Sequence, residues 1–236
     1  MNVDTLLAAM PGLTRSLATS YLPSMEAAQR EFQITSEARS RMWLAQVGHE
    51  SVSLRYFEEI ASGAAYEGRK DLGNTQPGDG VRYKGRGPIQ LTGRANYTTA
   101  GNALKLPLVD NPPMAADPRY AFRVSAWWWF THGLNQISDT GDVTAATRRI
   151  NGGLNGLSDR QSRYARCKGL GAKVVVSGAP AAAAPTPKPD DRVAIAQMRD
   201  GRAEVFLQRE SGEVVHRWNA PGGGWSGWSS LGTPGG

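Results

Sequence analysis

The 236-residue chain is predicted to be mainly α-helical, with a small β module at its C-terminal end. Three observations predict this. Apolar residues recur at helical spacing through most of residues 1–172, short β-type runs appear only after residue 192, and a Pro/Ala-rich block, 173–191, separates the two. The organisation is therefore a first domain over 1–172, a linker over 173–191, and a β module over 192–236.

Taken in order, helices are expected near Val3–Met10 and Leu13–Phe32. Thr35 is placed to cap a third that runs toward Glu50. That third helix carries Ala38, Met42, Ala45 and His49 on one face, and Trp43, Leu44 and Val47 widen the apolar surface until it nearly encircles the axis. A helix apolar all round is buried. Residues 63–93 are rich in Gly, Asn and Pro without helical period, so loops with one short strand pair are expected there. Helices follow near Ala95–Leu104, Thr144–Ile150 and Asp159–Lys168. Between them, Asp117-Pro118 combines a capping residue with proline at the first helical position. From there Tyr120, Val124, Trp127, Trp128 and Thr131 keep helical spacing until Gly133. In Ser177–Asp191, prolines at 180, 185, 187 and 189 prescribe an extended linker. Beyond it, Val193–Met198, Ala203–Gln208 and Val214–Trp218 read as strands, with Asp200-Gly201 and Ser211-Gly212 as turns.

Composition narrows the chemistry. One cysteine, Cys167, excludes an internal disulfide, and with three histidines in all (His49, His132, His216) no metal site and no cofactor are expected. A thiol nucleophile would need a histidine partner, and Cys167 is read as inert. No run of 18 apolar residues is present, so no membrane insertion is expected. Met1-Asn2-Val3-Asp4 lacks the basic start and apolar stretch of a secretory leader. Synthesis in a cytoplasm, with action on a cell wall only after release, is the corresponding expectation. The net charge of +6 favours anionic partners. The cations are scattered rather than run together, which argues against nucleic acid.

Glu50 ends the buried third helix, and Glu58 and Glu59 follow eight and nine positions later. Were the helix to continue, Glu59 would stand about 900° round and about 13.5 Å along the axis from Glu50. Two carboxylates flanking one sugar in an inverting hydrolysis stand roughly 6.5–9.5 Å apart. The pair can therefore cooperate only if the chain leaves the helix and turns back, and Ser51-Val52-Ser53 weakens the helix at the required place. His49-Glu50 also begins like a zinc-protease motif, but the second histidine is missing.

The motifs Gly48-His49-Glu50-Ser51, Tyr83 to Tyr97 (YKGRGPIQLTGRANY), Asp110-Asn111-Pro112, Ala126-Trp127-Trp128-Trp129 and Ile150-Asn151-Gly152-Gly153 occur in this order. Together they resemble glycoside hydrolase family 19, which comprises chitinases and, in its compact form, phage and bacterial endolysins. The resemblance spans about residues 10–170 and implies a lysozyme-like catalytic domain. It implies that Glu50 is the general acid, a role that an apolar helix would assist by desolvation. It assigns the water-activating carboxylate to Glu59 rather than Glu58, on motif register alone. It places Gln90, Thr92, Asn96 and Asn151 in the sugar cleft. Tyr83 and Tyr97 could offer rings or hydroxyls to sugars, or serve in packing. The implied substrate is the β-1,4-linked glycan of peptidoglycan or, alternatively, chitin; a carbohydrate-binding protein without catalysis is the reading from another class.

Two departures bear on substrate. Only 23 residues separate Glu59 from Tyr83, shorter than in many relatives, which implies fewer sugar subsites. Secreted chitinases of the family carry disulfides, and this chain cannot. The tail bears a weaker likeness to one blade of a lectin-type β-propeller, carried by Asp200-Gly201-Arg202, Val214–Trp218 and Trp225-Ser226-Gly227-Trp228. One blade leaves its faces uncovered, which implies homo-oligomer formation or wall-glycan binding through this module.

Overall fold

The computed structural model describes residues 1–176 and the strand segments 192–197, 203–208, 214–219 and 229–232. They belong to two compact units, 1–179 and 180–236. The first is mainly helical, as expected. It contains α1 (Val3–Ala9), α2 (Arg15–Glu31), α3 (Glu37–Glu50), α4 (Asp79–Arg82), α5 (Arg94–Leu104), α6 (Pro118–Thr131), α7 (Leu134–Thr140), α8 (Val143–Asn151) and α9 (Leu157–Leu170).

Side-chain caps set most of the helix starts. Asn2, Thr14, Ser36, Asp117 and Asp142 each accept a hydrogen bond from a backbone N–H of the first turn, as N-caps do. The cap of α3 is thus Ser36, one residue beyond the expected Thr35, because its hydroxyl is the one that reaches the Arg39 amide at 3.2 Å. Gly133 ends α6 as predicted, in a left-handed conformation at φ 71°, but the chain re-enters a helix at once. α7 was not foreseen. In 63–93 the expected strand pair is replaced by short helical turns at Ala64–Tyr66, Lys70–Leu72 and Asp79–Arg82, plus isolated bridges Glu58↔Arg86 and Arg86↔Leu91.

α3 runs through the core, with every residue from Met42 to Gly48 buried. Trp43 and Trp129 meet edge to face with ring centroids 5.3 Å apart, joining α3 to α6. α9 lies along α3, and α2 along α6. A second cluster (Tyr83, Leu91, Tyr97, Leu104, Leu108 and Val124) supports the loop that follows α4. The unit does not stop at residue 172. Val174 and Val176 are buried, and the N-terminal ammonium of Met1 donates to the Val175 carbonyl at 2.6 Å. The start of the linker moves accordingly, from 173 to beyond 176, since burial and an end-to-end hydrogen bond tie 173–176 to the core.

In the second unit β1 (Arg192–Gln197), β2 (Ala203–Gln208), β3 (Val214–Asn219) and β4 (Ser229–Gly232) form an antiparallel sheet in sequence order. Three of these strands match the expected runs, and the fourth is additional. The turns at 200–201 and 211–212, the tryptophans at 225 and 228 and the proline-rich 177–191 lie outside the described residues. Among the described residues no helix is long and apolar enough to cross a membrane.

Candidate active site

Glu50 is the last residue of α3, and its carboxylate is 18% exposed. Its partner is Arg160, near the start of α9, whose side chain is fully enclosed. One guanidinium nitrogen donates to Glu50 Oε1 at 2.5 Å, and the other donates to Gln46 Oε1 at 2.6 Å. Gln46 and Glu50 are four residues apart, hence neighbours on one helix face, and one planar guanidinium spans both. A buried cation needs this pairing. The surroundings of Glu50 are therefore not simply apolar, as the helix pattern suggested: a buried ion pair supplies the counter-charge at the negative end of the α3 dipole.

The predicted break in the helix follows directly. Val52, Ser53 and Leu54 all have positive φ (51°, 61° and 62°). A left-handed turn of three L-residues costs about 1–2 kcal/mol per residue, so its surroundings must hold it. Ser51 Oγ donates to the Val47 carbonyl at 2.5 Å and accepts from the Leu54 amide at 2.8 Å. The Ser53 amide donates to the Gly48 carbonyl at 2.7 Å, and Leu54 is buried in the core. Past the turn, Phe57 stacks on Tyr21 and meets Phe122 edge-on. The Gly87 amide donates to the Phe57 carbonyl at 2.7 Å, and the Glu59 amide to the Gly85 carbonyl at 2.9 Å. Glu59 is thereby laid against the loop 85–90.

The two adjacent glutamates differ sharply there. Glu58 is half exposed and pairs with two cations, Lys84 at 3.3 Å and Arg86 at 3.1 Å. The Glu59 carboxylate accepts from neutral donors, the Tyr66 hydroxyl at 3.0 Å and the Gly85 amide at 3.0 Å. Burial, then the bond to Glu59, hold the Tyr66 phenol above its ordinary range. Gln90 converges on the same spot. A Cβ added to Gly85 would lie 2.6 Å from Gln90 Oε1 and 3.2 Å from Glu59 Oε2, so the ends of both side chains crowd over Gly85.

Of the other predicted cleft residues, Thr92 donates to the Gln90 carbonyl at 2.9 Å, and exposed Asn96 donates to the Thr92 carbonyl at 2.8 Å. These three form one string beginning at the Glu59 loop. Asn151 is exposed at the end of α8, outside that string. Tyr83 and Tyr97 require correction. Both are fully buried and pack on each other at 5.2 Å, because their hydroxyls are engaged inside: Tyr83 with the Val109 carbonyl, Tyr97 with the Lys84 carbonyl and Arg86. Burial outweighs Arg86 and pushes the Tyr97 phenol up to about 12. They brace the loop from within and are not sugar platforms. Burial likewise pushes the Cys167 thiol up to about 11, leaving no thiolate near neutral pH.

A concavity of about 650 Å³, lined by Gln76, Asp79, Arg82, Tyr83, Arg94 and Asp110 among others, holds neither Glu50 nor Glu59. Sequence reasoning missed Arg160, Gln46 and Tyr66. Asp159-Arg160 reads as surface charge on a polar helix, and Tyr66 lies in a loop without period, so neither carried a signal of its own.

Comparison with known proteins shows what the chain is similar to. A family model for glycoside hydrolase family 19, described as chitinase class I, matches residues 24–169. An Arabidopsis thaliana endochitinase is 43% identical over 136 residues, covering 54% of this chain and 47% of its own. A Haemophilus influenzae protein described as containing a glycosyl hydrolase family 19 domain is 28% identical, covering 55% of this chain and 78% of its own. This chain thus spans about half the length of the first of these relatives. Among solved structures, a bacterial family 19 chitinase superposes with TM-score 0.58 at 26% identity, over 75% of this chain and 97% of that one. Chitinase C from Streptomyces griseus shares the fold at TM-score 0.59 and 24% identity, over 74% of this chain and 77% of that one.

Proposed function

Because the chain belongs to glycoside hydrolase family 19, we propose that it hydrolyses β-1,4 glycosidic bonds in the glycan strands of bacterial peptidoglycan, with inversion at the anomeric carbon. Glu50 in its acid form gives its proton to the bridging oxygen. Water attacks the anomeric carbon from the opposite face and loses a proton to Glu59, so one bond breaks, one forms, and a new reducing end appears. Arg160 faces the carboxylate that Glu50 becomes, which balances the charge left by the departing proton. Gln90, Thr92, Asn96 and Asn151 supply polar groups to sugar and water.

The observation that supports this reading is the pairing of environments on the two sides of the left-handed turn at 52–54. One carboxylate is backed by a buried guanidinium, and the other accepts from the Tyr66 hydroxyl and the Gly85 amide, with the Lys84 ammonium on the Glu59 main-chain carbonyl at 3.1 Å. The difference makes the two carboxylates chemically distinct groups, and the acid role of Glu50 rests on its place in the family motif Gly48-His49-Glu50-Ser51. Support for peptidoglycan comes from the net charge of +6, which suits an anionic wall, and from the short 60–82 connection. Synthesis in a cytoplasm and release onto the wall, as in a phage-type endolysin, go with the same reading. Chitin is the second substrate class, favoured by the relatives that are named chitinases.

The test is incubation with purified peptidoglycan and with chitin oligomers, with mass spectrometry of the products and NMR of the first anomer formed. New reducing ends of inverted configuration from peptidoglycan are expected. Peptides released without reducing ends would end the glycosidase reading, and cleavage of chitin alone would transfer it to chitin.

A further inference from the structure

The contact between α3 and α9 involves more than the Glu50–Arg160 pair. His49 Nδ1 lies 2.7 Å from the Asp159 carboxylate, which also accepts from Arg163 Nε at 2.6 Å. Burial pushes the Asp159 carboxyl upward, but the bonds from Arg163 and His49 outweigh it and hold the group below its usual range. Arg163 then reaches past α3, and its Nη1 donates to Ser53 Oγ at 2.9 Å. The approach leaves little room. A Cβ on Gly48 would stand 3.1 Å from Arg163 Nη1, and a Cβ on Gly156 would fall 2.2 Å from the His49 ring.

Ser53 is the middle residue of the left-handed stretch and is almost wholly buried. Its hydroxyl is therefore a handle by which α9 grips the turn between the two carboxylates. We propose that Arg163 is a positioning residue for glycoside hydrolysis: by holding Ser53 it fixes the left-handed turn at 52–54, and with it the placement of Glu59 relative to Glu50. This rests on the assignment of those two glutamates above. Arg163 touches neither reacting group, and it acts through the turn. Its fork serves Asp159 through Nε and Ser53 through Nη1 simultaneously, which a lysine ammonium on a single stem does not reproduce.

The test is steady-state hydrolysis, on whichever glycan the wild type cleaves, by R163A, R163K, S53A and the S53A/R163A double variant. Assays run well below each unfolding midpoint, alongside hydrogen exchange at the Ser53 and Leu54 amides. R163A and R163K are each expected to lose about tenfold or more in kcat with KM within about twofold, as a displaced catalytic group does. S53A should lose a comparable factor, and the double variant should be no worse than R163A, since both act through one contact. Exchange at the two amides should accelerate about tenfold in R163A. Wild-type kcat in R163A or R163K, losses that multiply in the double variant, or unchanged exchange would each overturn the proposal. If R163A does not fold, S53A decides: wild-type kcat and exchange there overturn it equally. A wild-type protein that releases no reducing ends from either glycan refutes the glycosidase reading instead, while the exchange comparison still reports whether Arg163 holds the turn.

Discussion

Replacing Gly85 by alanine should damage activity far more than stability, and the structure supplies both magnitudes. Gly85 is not in a left-handed conformation, so alanine brings no backbone strain, and the amide that donates to Glu59 remains. The added methyl would sit 2.6 Å from Gln90 Oε1 and 3.2 Å from Glu59 Oε2. Ordinary van der Waals contact needs 3.4 Å or more, so the Gln90 amide must retreat by about 0.8 Å and the carboxylate by a few tenths of an ångström. Retreat strains the bond from Gln90 Nε2 to the Gly87 carbonyl, worth about 0.5–1.5 kcal/mol. The lost freedom of glycine in the unfolded chain returns about 0.4–1 kcal/mol. The net change in stability is therefore within about 1 kcal/mol, or a few degrees in Tm. A misplacement approaching 1 Å at a catalytic constellation costs up to about a hundredfold in rate, so G85A should lose about ten- to a hundredfold in kcat. Reducing-end release at saturating substrate, paired with calorimetry, measures both. Activity within twofold of wild type would refute the placement of Gln90 and Glu59 at the reacting centre. A Tm fall of more than about 8 °C would refute the claim that only side-chain ends are displaced.

Three further expectations follow from the same geometry. E59Q should lose about a hundredfold or more in kcat while E58Q stays within about threefold, because Glu58 is spent on Lys84 and Arg86; equal losses in a reducing-end assay would contradict the assignment. R160M should lower kcat and destabilise the fold by about 2–4 kcal/mol in urea unfolding, less than a fully buried pair because Glu50 keeps some access to water. Asp79 is buried against Arg94, whose hydrogen bonds hold its carboxyl below 3.8 despite the burial. A depressed folded value means that this stability is present above about pH 4 and is lost as pH falls through it. D79N should therefore flatten the dependence of unfolding free energy on pH below 4, and an unchanged acid slope would count against the pairing.

Helical periodicity and capping chemistry made much of the helical unit legible in advance. α3 and α6 are each carried by local signals: an apolar surface running round the axis, and the Asp117-Pro118 start with its Gly133 stop. The ordered motifs from Gly48 to Gly153 were enough to point to the family. α7 was hidden because Gly133, a sound stop for α6, serves as well in the left-handed conformation that leads into the next helix. Tyr83 and Tyr97 were ambiguous for a physical reason, since an aromatic ring with a hydroxyl suits a sugar and a satisfied core equally.

The residue types at positions 50 and 59 and the weakness of the helix between them are properties of the chain alone. Whether those two carboxylates differ is not. Arg160 comes 110 residues after Glu50, Gly85 comes 26 residues after Glu59, and Ser53 is met by an arginine 110 residues away. Such contacts have no local period to betray them. Folding brings them within hydrogen-bond reach, and the low dielectric of the packed interior then gives each carboxylate its own surroundings. The sequence names the pair; only the packing of α9 on α3, and of the 85–90 loop on Glu59, makes one of them a group backed by a buried cation and the other a group held by neutral donors.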